Sequence, residues 1–116
     1  MSTNHENLRS APRFDIRLSV ELQLDGRAET GTTRNVSMGG VCIEINRQLK
    51  EGSFLSFRLF LVEEEIESAE EKPLDLVGTV QWATESERGF AMGIKFGNLT
   101  LTQRKALEAR LTAVAS

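Results

Sequence analysis

From Phe14 the chain alternates without a slip. Phe14, Ile16, Leu18, Val20, Leu22 and Leu24 are apolar, while Asp15, Arg17, Ser19, Glu21 and Gln23 between them are polar. Only an extended strand sends successive side chains to opposite faces, so this period of two predicts a strand with one dry and one wet face. Such a strand needs neighbours for its backbone and a cover for its apolar side, and the clean alternation favours an antiparallel sheet over a parallel one. Asp25-Gly26 then marks a turn.

The rest of the chain continues in the same style. Residues 28–36 (AETGTTRNV) read as a threonine-rich return strand, Ser37–Gly40 as a tight turn, and Val41, Ile43 and Ile45 as a third alternating stretch. The dense apolar run Phe54–Val62 predicts a strand covered on both faces or nearly so. Leu74–Trp82 and Gly89–Phe96 read as a hairpin joined by a polar connection over 83–88. After Gly97 the period changes: Leu101, Leu107, Leu111 and Val114 share one helical face, and Thr100 with Gln103 has the form of a capping box. The expectation is one mainly β domain. It has a flexible N-terminal arm over 1–13, a six-stranded antiparallel barrel from residue 14, and a C-terminal α-helix at about 100–114.

At 116 residues and 40% hydrophobic content, the chain is sized for one domain with a real core. No apolar run suits a signal peptide or a membrane span, which predicts a cytoplasmic protein without membrane insertion. The single cysteine, Cys42, excludes an internal disulfide, fits a reducing compartment and reads as a small packed residue. The net charge of −3 is unevenly spread. Residues 63–72 hold six glutamates and one lysine, which leaves the remainder mildly basic. A body of that kind can attract a small anion but lacks the basic stripe of a duplex binder. The acidic segment reads as a solvated connection or a docking surface for a basic partner.

Two short motifs stand out. Arg9-Ser-Ala-Pro-Arg13 places two guanidinium groups four residues apart, and Asn35-Val-Ser-Met-Gly-Gly40 is a small polar turn 22 residues after Arg13. Together with Gly78-Thr-Val-Gln-Trp82 and Gly89-Phe-Ala-Met-Gly-Ile-Lys-Phe96, and in this order, they resemble the PilZ domain over nearly the whole chain. The resemblance implies a PilZ-type six-stranded barrel that binds cyclic di-GMP, a bacterial second messenger. On the motif positions it implies ligand contacts at Arg9, Arg13, Asn35, Ser37 and Gly40, with Arg34, Leu8, Gly39 and Trp82 as secondary candidates.

The chemistry of these side chains suits that ligand. A guanidinium fork matches guanine O6 and N7, and its planar cation stacks on a purine. Asn35 offers an amide oxygen to the guanine N–H edge, and Ser37 offers a hydroxyl to guanine or phosphate. Gly40 permits close backbone approach or a positive φ. Asn35 and Ser37 equally suit the capping of a turn, and Trp82 suits the core or the barrel rim. Arg34 is a candidate for phosphate, and Arg17 reads as a surface charge. Leu8 cannot reach a second stacked ligand as an arginine would, so one ligand per chain is expected.

No nucleophile–base–orienter set, zinc spacing or P-loop is visible, and His5 has no ligating neighbour in sequence. Those absences argue against catalysis and a metal, and the resemblance implies a cyclic di-GMP receptor or adaptor for a protein partner, with no cofactor. The alternative is a PilZ-like interaction module that does not bind nucleotide. Binding of DNA or RNA is disfavoured by an aromatic content of 6% and the absence of tyrosine, with most phenylalanines expected in the core.

Overall fold

The computed structural model describes residues 13–24, 26–60 and 73–115, the last three without their side chains. Six strands form a closed antiparallel barrel in the order β1-β2-β3-β6-β5-β4. They are β1 (Ser19–Leu24), β2 (Arg27–Val36), β3 (Gly40–Ile45), β4 (Phe54–Leu59), β5 (Leu74–Ser86) and β6 (Gly89–Phe96), followed by helix α1 (Leu101–Ala115). Closure comes from β1, which pairs with β2 on one side (Leu22 opposite Glu29) and with β4 on the other (Leu22 opposite Phe57).

The interior is filled by the inward half of each alternating pattern. Val20, Leu22, Ile43, Leu59 and Met92 are fully buried, and Phe57 stacks on Phe96 with ring centroids 6.1 Å apart. On the outer wall the register lines up Glu21, Arg58 and Asp75 across β1, β4 and β5, and Arg58 Nε donates to Asp75 Oδ1 at 2.8 Å. The capping box forms as expected. The Thr100 N–H donates to Gln103 Oε1 (2.8 Å) and the Gln103 N–H to Thr100 Oγ1 (3.1 Å). Leu107 and Leu111 bring the helix into the core, and Gln103 Nε2 donates to the Asp75 carbonyl.

Several expectations are corrected. The alternating run from Phe14 is regular strand only from Ser19; before that, Phe14 makes a single bridge to Val36. β4 is not covered on both faces: Leu55, Phe57 and Leu59 are buried, but Ser56 and Arg58 are exposed and Phe54 is 68% exposed. Of the six phenylalanines, only Phe57 and Phe96 are buried in the core. The 83–88 connection is mostly strand, because β5 continues to Ser86 and the turn is confined to Glu87-Arg88. Leu101 is exposed rather than on the packed face. The remainder of the Phe54–Val62 run beyond Phe60 and the acidic segment lie outside the described residues.

The approach to β1 is held by one buried polar side chain. Thr33 is fully buried in β2; its Oγ1 accepts from the Leu18 N–H at 2.8 Å and donates to the Ile16 carbonyl at 2.6 Å. With the Thr33 N–H bond to the Leu18 carbonyl (2.9 Å) and the Phe14–Val36 bridge, this hydroxyl fastens the approach segment to β2. Thr33→Val keeps the shape but strands a buried donor and acceptor. It should therefore lower stability by about 1–3 kcal/mol, read as a fall in the urea midpoint with unchanged m-value.

Candidate functional site

Two β-bulges organise the outer wall. In β2 the pairing with β3 shifts between Thr33 and Asn35, and in β5 the pairing with β6 shifts between Val80 and Trp82. Each bulge inserts one residue, Arg34 or Gln81, and so turns the next side chain to the outside as well. The register then produces one transverse row across four strands: Asn35 opposite Cys42, Cys42 opposite Gly93, and Gly93 opposite Trp82. The middle of the row is small and its ends are large. The result is a cleft of about 390 Å³ lined by Arg13, Ser37, Gly39, Gly40, Gln81, Trp82, Gly93 and Lys95, with Val41 and Ile94 beneath.

The two motifs meet at one end of this cleft. The Phe14–Val36 bridge, with N···O distances of 2.9 and 3.0 Å, sets Arg13 beside the polar turn. Arg13 donates through an Nη to Asn35 Oδ1 at 2.8 Å. In the turn, Ser37 Oγ accepts from the N–H groups of Gly39 (3.1 Å) and Gly40 (3.2 Å), and the Ser37 N–H donates to the Gly40 carbonyl. The serine thus closes the turn, as one of its two readings held. Its own proton is directed to the Gly40 carbonyl at 3.4 Å, a distance at which a hydrogen bond is weak and easily redirected.

Gly40 is required by close approach rather than by a positive φ. Its φ is not among the positive ones, and a Cβ there would collide with the Ile94 carbonyl of β6. Gly93 has the matching role under the tryptophan: a Cβ on it would strike the indole ring of Trp82, which is 42% exposed.

Arg34 does not line the cleft. Its Nε lies 3.9 Å from one oxygen of Glu44, while Arg17 Nη approaches the other at 3.7 Å. Arg17 is thus a surface charge, as expected. Cys42 is buried under the row, and burial raises its thiol above its ordinary value, against the opposing charges of Arg34 and Arg13. Leu8, Arg9 and His5 lie outside the described residues. Sequence reasoning did not single out Gln81, Gly93 or Lys95; their signal was the hairpin motif itself, where only Trp82 drew notice. Among the described residues no group of three His, Cys, Asp or Glu could hold a metal, and no helix is long and apolar enough to cross a membrane.

A family profile described as the PilZ domain matches residues 7–113. The chain belongs to the PilZ domain family. Solved PilZ structures share its fold. The Bacillus subtilis inhibitor of motility MotI/DgrA superposes with a TM-score of 0.75 at 16% identity, over 90% of this chain and 50% of that one. This chain thus spans half the length of that protein. The PilZ domain of Escherichia coli YcgR, solved with c-di-GMP, gives 0.67 at 13% identity, over 87% and 86% of the two chains. The PilZ domain of CeSA from a cellulose-synthesizing bacterium gives 0.62 at 19%, over 90% and 98%. A comparison with curated proteins found no match. PilZ is a ligand-binding and adaptor domain, not a catalytic family.

Two outcomes follow from this PilZ wall. Gly93→Ala should push the indole ring aside. Trp82 is the chain's single tryptophan, so its emission should shift to the red while far-UV circular dichroism is unchanged; an unmoved spectrum would refute the contact. A raised thiol pKa favours the protonated form in the folded state. Its stabilising effect is therefore present below the unfolded thiol's ordinary value and is lost as pH rises through the folded value. Across that alkaline range the wild type should lose more stability than Cys42→Ala, measured by urea unfolding at successive pH values.

Proposed function

We propose that this PilZ domain is a bacterial receptor for cyclic di-GMP that acts as an adaptor, its ligand-bound face being what a protein partner recognises. The observation that carries the reading is the contact of Arg13 with Asn35 beside a cleft that Arg13, Ser37 and Gly40 share with Trp82 and Gly93. It brings the two motifs, 22 residues apart, to one place.

In this reading Arg13 and Arg9 recognise guanine and phosphate oxygens. Asn35 Oδ1, now held by Arg13, turns to the guanine N–H edge. Ser37 redirects its weakly held proton to the ligand, and Gly40 keeps the turn low enough for approach. Trp82 offers its exposed ring to a purine face. The E. coli YcgR domain solved with c-di-GMP supports the ligand class, and the motility inhibitor from B. subtilis supports an adaptor role.

The test is calorimetric titration with cyclic di-GMP, with GTP and cyclic di-AMP as controls. Selective binding near one ligand per chain is expected. Arg13→Ala should weaken it by about 1–3 kcal/mol, the worth of one good bidentate arginine contact, without unfolding the barrel. Absence of binding by folded protein at tens of micromolar would overturn the receptor reading in favour of a ligand-independent interaction module.

A further inference from the structure

The β6 side of the cleft has chemistry that neither motif supplies. A second transverse row runs beside the first: Gly40 pairs with Lys95, Lys95 with Thr79, and Thr79 with Phe54. Lys95 is exposed on β6 and lines the same cleft as Arg13. Its cross-strand neighbours are a glycine without a side chain and an uncharged threonine, so nothing on the wall blocks its stem or neutralises its ammonium. None of the ion pairs among the described residues engages Lys95.

The other cations near the site are differently placed. Arg17 and Arg34 are both drawn to Glu44, away from the cleft. Arg13 holds Asn35 at the motif end. A cyclic dinucleotide carries its two phosphodiester charges on opposite sides of the macrocycle. A guanidinium group on one wall can meet one of them, and the second needs a separate positive charge. An ammonium is a compact point charge suited to phosphate oxygen, and its apolar stem can lie along the strand while the head reaches over the floor.

We propose that Lys95 is the second anion contact of the site. It binds the phosphate that Arg13 does not, with Gln81 and Trp82 of the hairpin lining the same cleft. This inference rests on reading the cleft as a cyclic di-GMP site.

The experiment compares wild type, Lys95→Met, Lys95→Arg and Lys105→Met by calorimetry with cyclic di-GMP at low and high sodium chloride. Lys105 is an exposed helix lysine outside the cleft and controls for the loss of one charge. Lys95→Met should weaken binding about tenfold at low salt, the scale of one charge-assisted hydrogen bond. It should also flatten the salt dependence, because a charge contact is screened by salt. Lys95→Arg should restore most of the affinity, and Lys105→Met should bind as wild type. If wild type binds while Lys95→Met matches Lys105→Met in affinity and salt dependence, the assignment of Lys95 is overturned and the receptor reading stands. If folded wild type does not bind, the receptor reading falls and Lys95 falls with it.

Discussion

Everything in this molecule depends on closure of the sheet. Because β1 hydrogen-bonds to both β2 and β4, no strand is left with a free edge, and the space inside must be packed by the inward half of every strand. Among the described residues that space is filled by side chains such as Leu22, Ile43, Leu59 and Met92. The cleft lies instead on the outer wall, where a regular strand would present an unbroken line of projecting side chains. The cleft lies between two bulges that interrupt the regularity, and Gly40 and Gly93 keep its middle low.

The two ends of the cleft are held with different security. The hairpin wall is part of the barrel: Trp82 and Lys95 sit in strands paired along their length. The Arg13 end is held outside the regular strands, by the Phe14–Val36 bridge, the Thr33–Leu18 backbone bond, the Thr33 hydroxyl and the burial of Ile16 and Leu18.

Much of the fold was legible in residue order, and the failures have physical causes. Alternation identified the strands because a closed barrel buries one face of each, and the helix announced itself through Thr100, Gln103 and a changed period. Phe54–Val62 misled because apolar content was weighed above position; Ser56 and Arg58 already marked the wet face. The bulges could not be placed from composition. Their trace is a spacing of three between buried residues, Thr33 to Val36 in one case and Val80 to the core-packed Ala83 in the other, where a flat strand would show two. Missing that step hid which hairpin residues share the cleft with Arg13. The motif residues were singled out by resemblance; that Arg13, Ser37 and Gly40 line one cleft, with Asn35 bonded to Arg13, is a fact of register that only the folded chain displays.

The smallness of Gly93 has a consequence for reading relatives of this protein. A single methyl group at that position would meet the Trp82 ring and raise the floor of the cleft, with every residue of the arginine and Asn-x-Ser-x-x-Gly motifs left untouched. A homologous barrel with that methyl group would carry both signatures intact over an altered cleft, so the signatures alone do not report the shape of the wall beside them.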